Sequence, residues 1–416
     1  MKQINQENEF ACRICKASNW SSVWNFGQVP YGDLYQDNKA DAIAMSANEL
    51  HLVRCLDCKL LQLLSNTDIE AQYVDYLYST SVTNALSGTY REISERLISL
   101  LGLNEKSLVL DIGSNDGTFL EFFKTSGVQV VGIDPAKNSL RLSNQRGIET
   151  ISDFFTKSAC ERVLKEFGEP ELISVNYTLA NILDLSDFFT NIKSISTRST
   201  VISIITGYHP DQFSVNQFEY IDHDHITYLT LRDFDSIAKK FGFKVIQANR
   251  LEHKGGSLHV LLADENSDLT VSSSVAQIRQ REKWLRTEGD ELFYNMLQKL
   301  QNIKNSLLSF FQVLANENKN ILGIGASIST TYFLNFFELE NLNCKLFDDD
   351  KSKHGKFCPR YGFEVYPLVE APLEKGDNVC VIFAWQHTDR LMDRLIQLGY
   401  EGLVVIPLPH LSFRWL

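Results

Sequence analysis

Short apolar runs alternate with amphipathic segments between residues 107 and 262. The amphipathic stretch Gly117–Lys124 follows one such run and predicts a helix. The runs predicted as strands are 107–111, 128–133, 147–150, 172–175, 201–205, 244–246 and 257–262. Strands that alternate with helices predict a mostly parallel sheet that is covered on both faces.

A second, smaller α/β pattern follows. Between residues 273 and 318 apolar residues recur at every third or fourth position, with Gly289 as the one glycine, which predicts one long helix or two broken ones. Strands are then predicted at 320–325, 344–347, 379–384 and 402–407, with a helix near 330–338. Four cysteines within the first 58 residues mark off a small N-terminal module. We therefore predict three domains, at 1–75, 76–270 and 271–416.

Composition narrows the class of protein. The chain has 416 residues, 44% of them hydrophobic, which excludes a disordered, collagen-like or coiled-coil chain. Its net charge of −12 argues against nucleic-acid or anionic-membrane partners. No apolar run reaches the roughly 18 residues of a membrane helix, and the polar first ten residues lack the apolar region of a signal peptide. We predict a cytoplasmic monomer or homodimer.

Two Cys-x-x-Cys pairs, Cys12 with Cys15 and Cys55 with Cys58, lie in the N-terminal module. Four thiolates on two tight turns suit tetrahedral zinc, and a site filled by four protein ligands is structural. Unrelated thiols are disfavoured by the paired spacing, and a redox pair by the lack of a flanking βαβ pattern.

The segment Asp111–Gly117 contains two glycines, follows a predicted strand and opens a helix. Glycines there let a ligand approach the positive end of the helix. Asp134 ends the next strand, where a carboxylate can accept hydrogen bonds from ribose hydroxyls. The spacing G-x-x-x-G resembles the S-adenosylmethionine (SAM) site of class I methyltransferases more than an NAD site. A turn without a ligand is the alternative.

Two further motifs are less specific. In His223–Asp224–His225 a histidine held by a carboxylate can act as a general base near neutral pH; a metal site or a plain surface loop are the alternatives. Gly323–Ser329 is another glycine loop between a strand and a helix, which either cradles a phosphate or is a packing turn.

In their order along the chain these motifs resemble the nucleotide-sugar C-methyltransferases, which act on keto-deoxysugars. The stretches that carry the resemblance are Cys12–Cys15, Val53–Gln62, Asp75–Ser79, Leu110–Leu120, Gly132–Pro135, His223–Tyr228, Gly255–Ser257, Gly323–Ala326, Asp348–Asp349 and Ala384–Trp385. The resemblance implies an α/β protein with a four-cysteine zinc module, a class I methyltransferase domain of Rossmann-like fold that binds SAM, and a smaller Rossmann-like C-terminal domain.

The resemblance also implies a reaction, in which a base removes a proton next to the ketone of a nucleotide-linked sugar and the enolate takes the methyl group of SAM, giving a branched deoxysugar. It places the base at His225. The implied catalytic residues are His225, Asp224, His223, Asp222, Tyr76 and Asn181. The expected cofactor-binding residues are Asp111, Gly113, Asn115, Gly117, Asp134, Pro135, Asp153, Phe154 and Asn176. The expected substrate-binding residues are Tyr177, Gly255, Gly256, Ser257, Gly325, Ala326, Ser327, Asp349 and Trp385.

The chain departs from the family at the substrate side. The family has Tyr and Glu in a Y-x-E-H segment where this chain has Asp222 and Asp224, and an N-x-x-x-H pattern where it has Tyr177 and Asn181. Asp224 can still orient a histidine. Because Asn181 stands where the family has a histidine, the chain lacks a residue that could stabilise the enolate or act as a second base. We therefore expect a different sugar or acceptor atom. O- or N-methylation, a sugar epimerase or isomerase that consumes no SAM, and a binding protein are the alternatives.

Overall fold

The computed structural model describes residues 10–64, 84–373 and 377–416. The described chain forms two compact units. The first unit contains described residues up to 21 together with 53–211 and 224–289, and the second contains 22–52, 212–223 and the described residues from 290 onwards. Each unit is therefore built from three separate stretches of sequence.

Helices and strands alternate along most of the described chain. Up to residue 151 they are β1 (Trp20–Pro30), α1 (Lys39–Ala44), β2 (Ala47–Cys55), β3 (Leu61–Leu63), α2 (Asn84–Leu101), β4 (Leu108–Ile112), α3 (Thr118–Thr125), β5 (Gln129–Ile133), α4 (Lys137–Gln145) and β6 (Thr150–Ile151). Up to residue 285 they are α5 (Lys157–Glu166), β7 (Leu172–Asn176), α6 (Leu185–Ile195), β8 (Val201–Gly207), α7 (His209–Ser214), β9 (Thr227–Tyr228), α8 (Leu231–Phe241), β10 (Phe243–Leu251), β11 (Ser257–Asp264) and α9 (Ser273–Leu285). The rest are α10 (Glu291–Asn316), β12 (Asn320–Ile324), α11 (Ile328–Phe336), β13 (Cys344–Asp348), β14 (Val365–Pro367), β15 (Asn378–Ile382), α12 (Thr388–Gln397), β16 (Leu403–Ile406) and β17 (Ser412–Trp415).

A seven-stranded sheet with the order β10-β11-β8-β7-β4-β5-β6 forms the centre of the first unit. Its pairs from β8 to β6 are parallel, and β11 runs antiparallel to both of its neighbours. This order with one reversed strand is that of the class I methyltransferase fold. The predicted mostly parallel sheet is confirmed.

Both faces of that sheet are buried, because successive side chains of each strand point to opposite faces. In β4, Leu108, Leu110 and Ile112 join one apolar cluster while Val109 joins the other. Cys12 and Cys55 belong to the first cluster. The cysteine module therefore packs onto the core of the first unit.

The predicted helical segment at 273–318 is two helices, α9 and α10, rather than one. Arg286 ends α9 in the left-handed conformation at φ +53°, and Gly289 lies in the turn that follows. From α9, the carboxylate of Glu282 accepts the backbone N–H groups of Leu231 and Arg232 at 2.7 and 3.2 Å, which satisfies donors that the first turn of α8 leaves unpaired.

The second unit contains a six-stranded sheet with the order β14-β13-β12-β15-β16-β17. The strands are parallel except β17, which pairs antiparallel with β16. The order changes direction between β12 and β15, as in Rossmann-like sheets, and such a switch point is where ligands bind open α/β sheets. The predicted second Rossmann-like domain is confirmed.

Among the described residues, no helix is both long and apolar enough to cross a membrane.

Candidate active site and metal centre

The four cysteines of the N-terminal motifs come together. Their Sγ atoms all lie within 4.8 Å of one another, and the Cys12–Cys58 and Cys15–Cys55 pairs are 3.5 Å apart. Tetrahedral Zn–S bonds of about 2.3 Å place sulfur atoms roughly 3.8 Å apart, so the cluster fits one zinc ion. Of the described residues, this cluster is the one group of three or more potential ligands found close together. His223–Asp224–His225 forms no such group.

The two cysteine turns repeat each other. In each, the first cysteine's N–H donates to the carbonyl five residues on, Cys12 to Ala17 at 2.8 Å and Cys55 to Leu60 at 2.9 Å. The lysine after each second cysteine is left-handed, Lys16 at φ +64° and Lys59 at φ +66°. Both turns therefore present two thiols in the same way, as a closed structural zinc site requires.

A cavity of about 320 Å³ opens at the carboxyl ends of β4, β5, β6 and β7. The predicted cofactor-binding, catalytic and substrate-binding residues that line it are Asp111, Gly113, Asn115, Asp134, Pro135, Asp153, Phe154, Asn176, Tyr177 and Asn181. Gly117 stands next to these residues as the N-cap of α3, at φ +77°. The structure thus brings together the residues from four separate strand ends in one pocket.

Asp134 is held in place by backbone amides. Its Oδ2 accepts the N–H of Asn115 and its Oδ1 accepts the N–H of Ala136, both at 2.9 Å. Burial raises the pKa of Asp134, while these N–H groups oppose the rise. The side chain therefore lies with a fixed orientation beside the glycine loop, where it can accept ribose hydroxyls.

Asp111 lies deeper and is 2% exposed. Its Oδ1 accepts hydrogen bonds from Ser174 Oγ at 2.6 Å and Asn176 Nδ2 at 3.2 Å. Burial, with a smaller effect of Asp134, raises the pKa of Asp111 to about 7. Asn176 Oδ1 is buried and has no hydrogen-bond partner among the described residues. An unpaired buried acceptor in a cavity that aspartates line fits a cationic ligand, and SAM carries both an ammonium and a sulfonium.

Binding of SAM near pH 7 is expected to release protons. In the free protein the pKa of Asp111 is raised to about 7, and a cation bound nearby would lower it. The measurement is calorimetric titration in buffers of different ionisation enthalpy. Asp111→Asn should remove most of the release. Equal release by both proteins would contradict this electrostatic role.

The raised pKa of Asp111 also makes the stability of the protein depend on pH. The folded protein holds a proton that the unfolded chain loses above its ordinary pKa, so this group makes folding less favourable as pH rises towards about 7. In urea unfolding between pH 4 and 7, the free energy of unfolding of Asp111→Asn should increase relative to that of the wild type as pH rises. A constant difference would contradict the raised pKa.

Gly113 has no room for a side chain. It has φ +72°, and a Cβ there would lie 2.2 Å from Thr178 Oγ1. We expect Gly113→Ala to lower the free energy of unfolding by about 2–4 kcal/mol and to weaken binding of S-adenosylhomocysteine (SAH). The matched control is Gly127→Ala, at φ +86° with nothing within 4 Å, which should cost only the left-handed strain of about 1–2 kcal/mol. Equal effects in unfolding titrations would contradict the clash.

The opposite side of the cavity is built around Tyr177, which follows β7 at φ +54°. Its hydroxyl lies 3.1 Å from Ser257 Oγ, and Lys254 Nζ lies 4.1 Å from the centre of its ring. Ser257 Oγ donates to the carbonyl of His253 at 2.9 Å. Three predicted substrate residues, Tyr177, Gly256 and Ser257, therefore belong to one corner with Lys254, and Gly255 lies in the same loop.

His225 is half-buried in the first unit, next to Asp224. The following residue, Ile226, donates its N–H to the carbonyl of Ala180 at 3.0 Å. Ala180 directly precedes Asn181, which lines the cavity. The backbone thus holds the segment of His225 close to Asn181, although His225 itself is not among the residues that line the cavity.

Asp222 and His223 belong to the second unit. His223 is buried, and its Nε2 donates to the carbonyl of Val29 at 2.9 Å, while its ring lies 4.8 Å from that of Tyr31. Burial lowers the pKa of His223. These contacts are those of a structural histidine. Tyr76, the other predicted catalytic residue, lies outside the described residues.

The predicted substrate residues of the second unit end β12 and β15. Gly325 has φ +100°, and a Cβ there would lie 2.3 Å from Ala384 Cβ. Ser327 caps α11. Buried Trp385 directly follows Ala384 beyond β15 and stacks on Phe218. These residues therefore meet at the switch point of the sheet.

The carboxylate that reaches this loop is Asp348, one residue before the predicted Asp349. Asp348 Oδ2 accepts the N–H of Ala326 at 2.6 Å, and its Oδ1 accepts the N–H of Asp350 at 2.7 Å. Asp349 instead pairs with Arg394, Nε to Oδ2 at 3.2 Å. The arrangement repeats that of Asp134 in the first unit, and this equivalence is the signal that points to Asp348.

Three families of known domains match consecutive parts of the chain. Residues 12–73 match a putative zinc binding domain, 86–248 a methyltransferase domain, and 252–409 a C-methyltransferase C-terminal domain. The C-methyltransferase NovU of Streptomyces niveus is 24% identical over 401 residues, which is 96% of this chain and 95% of that protein.

Solved structures match a little less than half of the chain. The magnesium protoporphyrin IX methyltransferase ChlM of Synechocystis PCC 6803, with bound SAH, is 12% identical over 47% of this chain and 91% of that chain, with a TM-score of 0.35. The PH0226 protein of Pyrococcus horikoshii OT3 is 13% identical over 47% of this chain and 98% of that chain, with a TM-score of 0.36.

The matched methyltransferase domain, together with the fold and the cavity, defines a SAM-dependent methyltransferase that also binds structural zinc. In its C-terminal part the chain matches the C-terminal domain of C-methyltransferases, and the three matched domains follow one another over a length that the C-methyltransferase NovU shares almost in full. The predicted family, fold class, enzyme class and cofactors are confirmed.

Proposed function

We propose that the protein methylates a carbon next to the ketone of a nucleotide-linked keto-deoxysugar, with His225 as the general base. The observation that carries the proposal is the hydrogen bond from Ile226 N–H to the Ala180 carbonyl. It ties the His225 segment to the wall beside Asn181 and Tyr177, on the side of the cavity away from Asp134. A histidine there can reach an acceptor carbon held at that end.

The proposed reaction needs a base, a methyl donor and the ketone of the sugar. Neutral His225 takes the proton from the carbon next to the ketone, and the C–H electron pair moves to form an enolate on the sugar. When bound, SAM would supply an electrophilic methyl group, with its S–CH3 bond broken and SAH as the leaving group. After the new C–C bond forms, His225 returns its proton to solvent. Asp224 orients the imidazole.

We also propose that the second unit binds a nucleotide, at the switch point of its sheet. Support comes from the close approach at Gly325 and from Ser327 at the start of α11. Backbone N–H groups at such a loop favour phosphate oxygens. Ala326, whose N–H donates to Asp348, fixes the loop's conformation.

The test uses SAM with a trideuterated methyl group and a panel of nucleotide-linked 4-keto sugars, with product masses as the readout. The proposal expects a sugar that gains the labelled methyl on carbon, with release of SAH. Fragmentation that places the label on oxygen or nitrogen would contradict carbon as the acceptor. A sugar changed without label would indicate isomerisation instead.

We also infer that the protein works in the cytoplasm on a small molecule, as a monomer or homodimer and without nucleic acid, from its acidic charge and cysteine usage. The domain limits at 75 and 270 stay predictions.

A further inference from the structure

The cavity of the first unit has an uneven charge. Five aspartates line it: Asp111, Asp134, Asp153, Asp184 and Asp187. Of the described residues that line the cavity, Lys254 is the one with a basic side chain. The carboxylates suit the cations of SAM, whereas Lys254 suits an anion. A methyl transfer through an enolate develops one negative charge, on the former carbonyl oxygen.

Lys254 lies at the end of the cavity where the acceptor is expected. Asp134 follows β5, and Asp153 follows β6, at the edge of the sheet. Tyr177 follows β7, on the other side of β4, and Lys254 Nζ lies 4.1 Å from the centre of its ring. A cofactor with its ribose at Asp134 and its adenine near Asp153 therefore extends its methionine part towards Tyr177 and Lys254.

The loop that carries Lys254 is built into a strained shape. Lys254, Gly255 and Gly256 have φ values of +51°, +71° and +123° in succession. A Cβ at Gly256 would lie 2.4 Å from Asp211 Cβ. Asp211 is itself held by Arg250, at 2.6 Å. A left-handed lysine costs about 1–2 kcal/mol, and strained residues of this kind cluster at active sites and ligand clamps.

We propose that Lys254 is a catalytic residue that stabilises the enolate oxygen of the substrate, in place of the histidine that the family pattern has at position 181. This inference rests on the proposed function. As His225 removes the proton, the electron pair moves to the carbonyl oxygen, which accepts a hydrogen bond from the ammonium of Lys254. When carbon bonds to the methyl group, the pair returns and the C=O bond forms again. Lys254 keeps its proton throughout.

The experiment measures two quantities on the variants Lys254→Met, Lys254→Arg and Lys254→Gly. The first is uptake of solvent deuterium at carbon by a dTDP-linked 4-keto-6-deoxyhexose with SAH bound, which reports enolate formation without methyl transfer. The second is the affinity for SAH by calorimetry. Lys165→Met, an exposed lysine on α5, is the matched control. Lys254→Gly removes the side chain while keeping a residue suited to the left-handed backbone.

We expect Lys254→Met and Lys254→Gly to slow deuterium uptake by about 10²–10³-fold, with SAH affinity unchanged. Lys254→Arg should recover part of the rate, because it keeps the charge. Unchanged uptake in Lys254→Met would overturn the proposal. A parallel fall in SAH affinity would also overturn it, since the lysine would then hold the carboxylate of the cofactor.

The wild type separates this inference from the proposed function. If it takes up deuterium and transfers methyl to carbon, the variants test Lys254 alone. If it methylates the sugar on oxygen or nitrogen and exchanges no deuterium, the proposed function fails, and the inference fails with it.

Discussion

Replacing His225 with alanine is expected to lower methyl transfer by about 10²–10⁴-fold while the affinity for SAM stays near that of the wild type. The two effects separate because His225 lies apart from the residues expected to bind SAM. His225 lies one residue from the hydrogen bond to Ala180, beside the wall of the cavity, and the glycine loop and Asp134 lie at other strand ends. Single-turnover rates and calorimetry measure the two quantities separately.

Two controls sharpen this prediction. His410→Ala removes an exposed histidine of the second unit and should leave the rate unchanged. His223→Ala removes the hydrogen bond to the Val29 carbonyl, so it should lower thermal stability more than the chemical step. A full rate in His225→Ala would exclude this residue as the base.

Substitution of Cys55 by serine is expected to remove zinc and to unfold the N-terminal module. Its Sγ is one of four that lie within 4.8 Å of one another, and the residue is fully buried in the core of the first unit. Loss of a structural metal is among the changes that lower the free energy of unfolding by about 4–5 kcal/mol or more. Metal analysis and urea unfolding provide the measurements.

Cys344→Ser is the matched control, because Cys344 lies in the second unit, outside the cluster. It should keep one zinc per chain and nearly full stability. A chelator added to the wild type should reproduce the loss of stability seen in Cys55→Ser. A stable Cys55→Ser protein with full zinc content would show that another group completes the site or that the ion is not structural.

The cofactor side of the site could be predicted because its signals are local. A strand, a glycine loop and a helix start follow one another between residues 108 and 118, and Asp134 ends the next strand. Parallel strands bring such ends to one edge of a sheet, so the pocket follows from the pattern. The two cysteine pairs are equally local. That the two pairs come together, across the 39 residues between them, could be inferred only from the chemistry of zinc.

Other features depend on contacts that the sequence does not show. An apolar run predicts a buried strand in either direction, so the reversal of β11 was not predicted. Residues 212–223 belong to the second unit, which divides His223 from Asp224 although the motif is continuous. Lys254 carries no signal of its own, because a lysine before two glycines is common in surface turns.

One consequence of the repeated aspartate arrangement concerns entropy. In Asp134 and in Asp348, each carboxylate oxygen already accepts a backbone N–H. Neither side chain therefore has rotamer freedom left to lose when a ligand arrives, a loss that otherwise weakens association by about 0.5–1.5 kcal/mol per side chain. The entropy of both side chains is lost when the protein folds, not when a ligand binds. A hydroxyl group that reached either carboxylate would meet an acceptor whose orientation is already fixed.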